Sequence, residues 1–202
     1  MIAIIDYGAG NLLSVKKALD YLGAESEITK DPQKIYCASH IILPGVGSFG
    51  DAMHSMEDRG LTGVVKDVAG KKPFLGICLG LQLLFEESEE SPGVKGLGIL
   101  DGKIRKIPKE NGLKVPHMGW NSVNIKKRDG IFKGIDEDSY FYFVHSFYLE
   151  GAGDAVAATT QYGVDIECAV ECGKLFATQF HPEKSGELGL KLLKNFIETE
   201  AE

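Results

Sequence analysis

Residues 74–82 read Phe-Leu-Gly-Ile-Cys-Leu-Gly-Leu-Gln and set Cys78 between two glycines, where a strand pattern gives way to a helical one. Pro73–Ile77 predicts a buried strand, and Leu79–Glu86 predicts the helix that follows it. Gly-x-Cys-x-Gly at such a junction is the cysteine form of the nucleophile elbow, a tight turn that lifts the side chain above the sheet. The helix dipole there favours the thiolate, which is the reactive form. A buried structural cysteine is the usual alternative, but the flanking glycines favour catalysis.

Strands and helices alternate through the first half of the chain. Asn11 can cap a helix that runs to about Tyr21, and Ser48 can cap another. Strands are predicted at Ile2–Ile5, Glu25–Thr29, His40–Leu43 and Pro73–Ile77. Repeated strand–turn–helix units predict an α/β fold with a mostly parallel sheet and helices on both faces. The functional residues of such sheets collect in the loops at the carboxyl ends of the strands.

The pattern changes after Ser88, where strands predominate. We predict strands at Leu97–Ile107, Asn121–Lys126, Tyr140–Tyr148, Ala155–Thr160, Ile166–Glu171 and Leu175–Phe180. This run predicts either antiparallel strands that extend the sheet or a second small sheet. A final amphipathic helix is expected from about Ser185 to Ile197. The sequence has no repeat or long linker, so residues 1–202 are expected to form one domain.

Composition narrows the class of protein. The 202 residues are 44% hydrophobic and 25% charged, as in ordinary globular proteins. The net charge of −7 argues against nucleic acid or an anionic membrane as the main partner. No apolar run is long enough to span a membrane and the amino terminus lacks a signal-peptide pattern, so the cytoplasm is the expected location. The four cysteines form no Cys-x-x-Cys pair, and neither a disulfide, a metal nor a cofactor is expected.

The second chemical signal is residues 178–183, Thr-Gln-Phe-His-Pro-Glu. An apolar strand delivers His181 to its carboxyl end, and Pro182 ends the strand. The carboxylate of Glu183 is near enough to reach one ring nitrogen of His181, which would fix the tautomer and leave the other nitrogen to take a proton from a nucleophile. Alone, His-x-Glu is typical of a solvated strand end. Together with Cys78 it completes a nucleophile, a base and an orienting carboxylate.

The third signal is the glycine-rich loop of residues 44–50, Pro-Gly-Val-Gly-Ser-Phe-Gly. A P-loop is excluded because no Gly-Lys-Ser/Thr follows. Acyl transfer needs backbone N–H groups aimed at an oxyanion, and this loop could supply one. Since Gly45 and Gly47 flank Val46, the Gly45–Val46 peptide could rotate at low cost and turn either a carbonyl or an N–H toward the site. A tight turn in which Ser48 caps a helix is the structural alternative.

Together, these motifs resemble those of class I glutamine amidotransferases. The elbow with Gln82, and His181-Pro-Glu183, carry the resemblance to the class as a whole. Other stretches resemble, more specifically, the glutaminase subunits of imidazole glycerol phosphate synthases, which supply ammonia to a step of histidine biosynthesis. These stretches are residues 6–11, 44–50, 116–121, 141–146 and 181–185. The resemblance covers essentially the whole chain in order.

The resemblance implies a role for each matching residue. Cys78 would attack the amide carbon of glutamine, His181 would take the thiol proton and pass it to the departing ammonia, and Glu183 would orient the imidazole. The remaining implied roles are oxyanion binding by the backbone N–H groups of Val46 and Leu79, and substrate binding by Gly47, Gln82 and Ser146. An exposed helix position without a role is the alternative for Gln82.

A glutaminase that serves a synthase needs a partner docked over its site, because ammonia that escapes into water becomes ammonium, which is not a nucleophile. The resemblance implies that this partner is a (β/α)8-barrel cyclase and that the two chains form a heterodimer. The expected interface residues are Met118, Trp120, Asn121 and Lys184, since Trp and Met are enriched in interface cores. Core packing is the alternative for Trp120.

Three other functions stay open. The chain could be the glutaminase of another synthase, such as that of pyridoxal phosphate, although residues 44–47 and 116–120 count against it. It could be an elbow-cysteine peptidase or stress protein, but those lack the terminal His-Pro-Glu. It could also be a binding module without activity, which the intact Cys78, His181 and Glu183 argue against and a glutaminase assay would test.

Overall fold

The computed structural model describes residues 1–109 and 112–201. Its helices are α1 Leu12–Tyr21, α2 Pro32–Cys37, α3 Phe49–Asp58, α4 Leu61–Val68, α5 Leu79–Gln82 and α6 Gly186–Ile197. Its strands are β1 Ile2–Ile5, β2 Ser26–Thr29, β3 His40–Gly45, β4 Phe74–Cys78, β5 Glu87–Ser88, β6 Lys103–Lys106, β7 His117–Ser122, β8 Asn124–Ile125, β9 Tyr140–His145, β10 Phe147–Glu150, β11 Val156–Tyr162, β12 Val164–Cys172 and β13 Leu175–Thr178. In this described part of the chain, no helix is both long and apolar enough to cross a membrane.

Five neighbouring strands run parallel, in the order β2-β1-β3-β4-β13. In this register Gly45 of β3 lies opposite Cys78 of β4, and Ile77 lies opposite Thr178 of β13. The carboxyl ends of three adjacent strands therefore meet at one edge of the sheet. The residues that follow those ends are Val46, Leu79 and Gln179.

Beyond β13 the large sheet continues through β12, β10, β6 and β5. The pairs β13–β12, β12–β10 and β10–β6 are antiparallel, while β5–β6 is parallel. β11 and β8 branch from β12, and β7 pairs with β9 in a separate two-stranded sheet. The sequence left two arrangements open for the second half, antiparallel strands that extend the sheet or a second small sheet, and both occur. The chain leaves the large sheet to form β7 and β9 and then returns to it. The predicted fold class, α/β with a mostly parallel sheet and an antiparallel extension, is confirmed.

Hydrophobic clusters cover both faces of the parallel strands. Along β1, Ile2 and Ile4 belong to one cluster and Ala3 and Ile5 to the other, and all four are buried. Such continuous burial is typical of a strand covered by helices on both faces. The apolar sides of α1 and α6 pack in the first cluster, and those of α3 and α4 pack in the second. The carboxyl ends of the parallel strands, where Cys78 lies, are therefore held rigidly from both faces of the sheet.

The helix after Cys78 is shorter than predicted. α5 ends at Gln82 rather than at Glu86. The next turns are closed by the tighter i to i−3 bonds, in which Leu84 N–H donates to Leu81 and Phe85 N–H donates to Gln82. Leu84 and Phe85 are fully buried, so the chain turns into the core and leaves Gln82 at the end of the helix, beside the site.

Three predicted strands are interrupted. Asn121–Lys126 divides at Val123 into the end of β7, in the small sheet, and β8, in the large one. Leu97–Ile107 contains only β6, because Gly98 and Gly102 have positive φ angles of 58° and 135°, which end an extended run. Tyr140–Tyr148 divides at Ser146 into β9, in the small sheet, and β10, in the large one. Ser146 thereby occupies the corner between the two sheets.

Helix caps are partly as predicted. Ser48 caps α3 by accepting a hydrogen bond from the N–H of Asp51 at 3.3 Å. Asn11 occupies the predicted N-cap position of α1, but its side chain makes no cap hydrogen bond within the described residues. The sequence analysis missed α2, although Asp31 caps it through the N–H of Gln33 and Pro32 stands at its first position. That Asp-Pro pair was the available signal.

Replacing Gly80 by Ala is expected to destabilise the fold more than replacing any exposed glycine. A Cβ on Gly80 would lie 1.9 Å from the carbonyl oxygen of Leu43 in β3. Overpacking of this kind costs about 1–3 kcal/mol, which outweighs the gain of about 1 kcal/mol in helix propensity. We expect the free energy of unfolding, measured by chemical denaturation, to fall by about 2 kcal/mol.

Gly63→Ala is the matched control. Gly63 is exposed within α4, and a Cβ there would meet no atom within 4 Å. This variant should gain about 0.5–1 kcal/mol from helix propensity alone. Equal stability of the two variants would show that the approach of the elbow to β3 does not limit the fold.

Candidate active site

Cys78 stands at the end of β4 and directly before α5, in a strained turn. Its φ and ψ are 55° and −107°, and among the described residues it shares a positive φ with only one other non-glycine residue, Asp138. Backbone strain of this kind persists only where the surroundings enforce it, and it clusters at functional sites. The Cys78 side chain is thus held at the sheet edge, where it is 8% exposed.

The two glycines of the elbow are needed for space. A Cβ on Gly76 would lie 2.8 Å from the carbonyl oxygen of Gly80, and a Cβ on Gly80 would collide with β3. The positive φ falls on Cys78 itself, and the glycines let β3, β4 and α5 approach closely enough to enforce it.

His181 and Glu183 form a buried pair. His181 Nδ1 lies 2.9 Å from Glu183 Oε1, and both side chains are at most 2% exposed. The segment is anchored because the N–H of His181 donates to the carbonyl of Tyr142 and the Ser185 hydroxyl donates to the carbonyl of His181. Since the carboxylate accepts from Nδ1–H, Nε2 is the nitrogen left for the nucleophile.

The second ring nitrogen of His181 faces Cys78 loosely. Nε2 is buried, and among the described residues its contact with Cys78 is too long or too poorly aligned for a regular hydrogen bond but close enough to affect its pKa. Burial lowers the pKa of His181, but hydrogen bonding and charge interaction with Cys78 and Glu183 outweigh it and raise that pKa to about 9. The imidazole is therefore protonated at neutral pH when it lies beside a Cys78 thiolate. Catalytic contacts of this kind commonly tighten only when substrate binds.

These side chains open onto one cavity of about 380 Å³. The predicted site residues that line it are Val46, Gly47, Cys78, Leu79, Gln82, Ser146, His181 and Lys184. Glu183 lies behind His181 and is not part of the wall. The residues that the sequence analysis missed in the wall are Glu90, Pro116, Val144, His145 and Phe147. A volume of this size suits a single amino acid.

The loop after β3 differs from the prediction in one respect. Pro44 and Gly45 belong to the strand, and a Cβ on Gly45 would lie 2.5 Å from the Tyr7 hydroxyl and 2.7 Å from Leu79 Cβ. Gly45 is thus required for close approach, not only for rotation of its peptide. Gly47, with φ 103° and open space around it, is the residue whose backbone needs glycine.

Gln82 is buried, not exposed as the alternative held. Its Nε2 donates to the carbonyl of Phe147 at 3.2 Å and to Oε1 of Gln179 at 3.0 Å. Both N–H groups are then used within the protein. What Gln82 can offer a bound ligand is its Oε1, an acceptor.

His117 and His145 form a neutral pair, in which His145 belongs to the cavity wall and His117 lies behind it. His145 Nδ1–H donates to the carbonyl of Phe147 at 2.8 Å, so its Nε2 accepts from Nδ1–H of His117 at 2.9 Å. Burial lowers the pKa of His117 to about 4 and that of His145 to about 3. The pair is uncharged at neutral pH and ties β7 to β9. Because His117 and His145 are 28 positions apart, no local sequence pattern indicates that they pair.

The predicted interface residues of β7 lie outside the cavity. Met118 and Trp120 are 63% and 56% exposed, so core packing, the alternative for Trp120, is wrong. Trp120 packs edge-on against Tyr142, and Lys184 Nζ lies 5.9 Å from the centre of the Tyr142 ring. Asn121 is half-buried, and its amide donates to the carbonyl of Gln161 at 2.9 Å. An exposed aromatic and cationic patch therefore borders the mouth of the cavity through Lys184.

The described residues include no group of three or more His, Cys, Asp or Glu side chains that could hold a metal ion. The chemistry available at the cavity is that of a cysteine sulfur beside an imidazole whose pKa is raised. Such a pair suits nucleophilic attack on a carbonyl carbon followed by protonation of the leaving group.

The fold and this site define a class. The family model described as glutamine amidotransferase class-I matches residues 3–199, and the chain belongs to this class I glutamine amidotransferase family. Within the class it belongs with the proteins named imidazole glycerol phosphate synthase subunit HisH. The HisH of Methanothermobacter thermautotrophicus is 52% identical, over 98% of both chains, and that of Moorella thermoacetica is 51% identical, over 98% of this chain and 94% of its own.

Solved structures share the fold at lower identity. PurLQS from Thermotoga maritima aligns with a TM-score of 0.75 at 22% identity, over 97% of this chain and 96% of the other. A structure described as a glutamine amidotransferase aligns with a TM-score of 0.75 at 20% identity, over 98% and 97%. These likenesses support the fold of the chain.

The roles of His181 and Glu183 can be separated by mutation. We expect His181→Asn to lower the rate of glutamine hydrolysis by several orders of magnitude and Glu183→Gln to lower it less, because the carboxylate orients the ring without transferring a proton. In Glu183→Gln the pKa of His181, followed by NMR titration of its ring, should fall below about 9, since that carboxylate raises it.

Glu187→Gln is the control for this pair, because Glu187 is an exposed carboxylate in the first turn of α6. It should change neither the rate nor the titration of His181. A larger rate loss in Glu183→Gln than in His181→Asn would reverse the proposed roles.

Proposed function

We propose that this chain is the glutaminase subunit of an imidazole glycerol phosphate synthase in cytoplasmic histidine biosynthesis. It hydrolyses the side-chain amide of glutamine and passes ammonia to a cyclase, which makes imidazole glycerol phosphate and an aminoimidazole carboxamide ribonucleotide. The observation that carries the proposal is a cysteine in a strained elbow that shares one cavity with His181, which is paired with the buried carboxylate of Glu183. The HisH relatives, at about half identity over nearly the whole chain, favour this synthase over that of pyridoxal phosphate.

The first half-reaction releases ammonia. The sulfur of Cys78 attacks the amide carbon of glutamine and forms a tetrahedral intermediate. His181, protonated through Nε2, gives its proton to the amide nitrogen, and the C–N bond breaks to release ammonia and leave a thioester on Cys78. Glu183 holds the ring through Nδ1 and stabilises its cationic form.

The second half-reaction restores the enzyme. His181 is now neutral and takes a proton from water, which attacks the thioester carbon. The C–S bond then breaks, and the new side-chain carboxylic acid leaves and gives its proton to water to become glutamate. Cys78 is again a thiolate beside an imidazolium. The pKa of about 9, raised by the hydrogen bonds and charges of Cys78 and Glu183, keeps His181 protonated and ready to act as the acid of the first step. In the second step Nε2 has lost that proton and acts as the base.

Backbone N–H groups at the carboxyl edge of the sheet would bind the oxyanion. Leu79 begins α5 directly after Cys78, and Val46 follows β3, the neighbouring strand. Removing one oxyanion donor typically lowers kcat about 100- to 1,000-fold. Rotation of the Gly45–Val46 peptide would therefore be enough to regulate the enzyme.

The amino-acid end of glutamine would lie between α5 and the β9–β10 corner. Gln82 offers its Oε1 to the α-ammonium group, because both of its N–H groups are used within the protein. Ser146 and Gly47 line the same cavity. They would fix the α-carboxylate through hydrogen bonds.

The partner is proposed to be a (β/α)8-barrel cyclase in a heterodimer. It would cover the patch formed by Met118, Trp120, Tyr142 and Lys184. Asn121 would keep β7 in place through its hydrogen bond to the carbonyl of Gln161. Two large side chains are more than half exposed there, and Lys184 belongs both to this patch and to the cavity wall. Ammonia released beside Lys184 would pass directly under the partner.

Cys78→Ala tests the proposal as a whole. Glutamate release should be abolished, because no thioester can form, while the complex should still make product from added ammonium salts. The folded state should persist, since Ala removes only the sulfur. Near-normal glutaminase activity in this variant would exclude Cys78 as the nucleophile.

Trp120→Ala tests the docking patch. Loss of an interface hot spot costs about 2 kcal/mol or more, which is about 30-fold in Kd for the cyclase, measured by calorimetry. Tyr21→Ala is the control, because Tyr21 is a 78% exposed aromatic residue at the end of α1 and is not part of the patch. Unchanged affinity for the cyclase in Trp120→Ala would place the partner elsewhere.

A further inference from the structure

We propose that Gln179 is a further catalytic residue, whose side-chain amide donates a hydrogen bond to the sulfur of Cys78 and stabilises it whenever it is a thiolate. This inference rests on the proposed role of Cys78 as the nucleophile. Gln179 follows β13 and is fully buried, and its Nε2 lies 3.7 Å from Cys78 Sγ, within hydrogen-bond distance for sulfur. Two residues before His181, it brings a second polar side chain to the same sulfur.

The orientation of the Gln179 amide is fixed by the carbonyl of Phe147, to which it is linked through the side chain of Gln82. The carbonyl of Phe147 can only accept, so the Gln82 atom that lies 3.2 Å from it must be Nε2. The same Nε2 donates to Gln179 at 3.0 Å, so the atom it meets must be the acceptor Oε1. The other end of the Gln179 amide, the NH2 group, is thereby turned toward Cys78.

The Phe147 carbonyl is itself held by a neutral donor. His145 Nδ1–H bonds to it at 2.8 Å, and burial lowers the pKa of His145 to about 3, so the ring stays uncharged at neutral pH. No change of protonation around pH 7 disturbs this acceptor. The amides of Gln82 and Gln179 keep one orientation over the working pH range.

An amide donor stays beside the sulfur in both half-reactions, whereas the imidazolium loses its proton in the first and regains one in the second. His181 gives up its proton when ammonia leaves, so the sulfur loses that donor while the thioester exists. When water displaces the sulfur, the electron pair of the C–S bond returns to Cys78, and a buried thiolate forms again. Gln179 cannot transfer its proton at neutral pH, so its N–H remains to stabilise the leaving thiolate. Hydrogen bonds to charged groups are about twice as strong as neutral ones.

The side chain can be replaced without removing the backbone contact that holds this segment. The N–H of Gln179 donates to the carbonyl of Cys168 at 2.8 Å, independently of the side chain. Gln179→Met keeps the length of the side chain and removes the donor. Gln179→Glu keeps the shape, removes the donor and adds a negative charge. Gln33→Met is the control, because Gln33 is exposed on α2.

The rate of Cys78 alkylation by iodoacetamide, measured against pH, reports the thiolate without glutamine turnover. Since Cys37 and Cys172 are exposed, the modified Cys78 peptide is quantified by mass spectrometry. In Gln179→Met we expect the midpoint of the pH profile to rise and the rate at pH 7 to fall about tenfold or more. Gln179→Glu should shift the midpoint further, and kcat for glutamine should fall in both variants more than KM changes.

A profile identical to that of the wild type, in Gln179→Met or in Gln179→Glu, overturns the inference and makes Gln179 a packing residue. If Gln179→Met fails to fold, Gln179→Glu decides, because it matches the wild-type side chain in shape. A shifted alkylation profile supports the inference even if the wild-type complex hydrolyses no glutamine, an outcome that would refute only the proposed function.

Discussion

A thiolate in a cleft sheltered from water needs a cation and fixed donors beside it, and the rest of this structure supplies them. The cation is His181, whose pKa is raised to about 9 by the neighbouring Cys78 and Glu183 despite its burial. The buried carboxylate pairs in turn with Nδ1, so no member of the group is left as an isolated charge. Removing one partner would leave the others buried without compensation, which is why the three residues must be considered together.

The sheet keeps these groups together by register and by close packing. Three parallel strands end at one edge, and each is followed by a residue of the site. Glycines at positions 45, 76 and 80 let backbones approach to distances that a Cβ would not allow. Hydrophobic clusters on both faces then hold the elbow in its strained conformation. Packing energy distributed over the domain therefore maintains one unfavourable dihedral pair at Cys78.

The small β7–β9 sheet connects the cavity to the exposed patch. At one end of the pairing His117 and His145 are buried against the cavity wall, and further along Trp120 lies opposite Tyr142 at the surface. A partner bound to the patch would thus contact the same two strands that shape the substrate cavity. The neutral histidine pair makes this connection insensitive to pH near neutrality.

The sequence by itself determined the elements whose signals are local. The glycines around Cys78, the carboxylate two residues from His181 and the alternation of strands and helices each lie within a few residues, so spacing alone predicted the elbow, the His–Glu pair and the fold class. The tertiary structure alone decided which distant residues meet. Gln179 and Cys78 are 101 positions apart, and Gln82 and Gln179 are 97 apart. The exposure of Trp120, the steric role of Gly45 and the division of the strand at Ser146 likewise depend on how sheets pack. No local pattern encodes such contacts, because they arise only when strand register brings separate segments side by side.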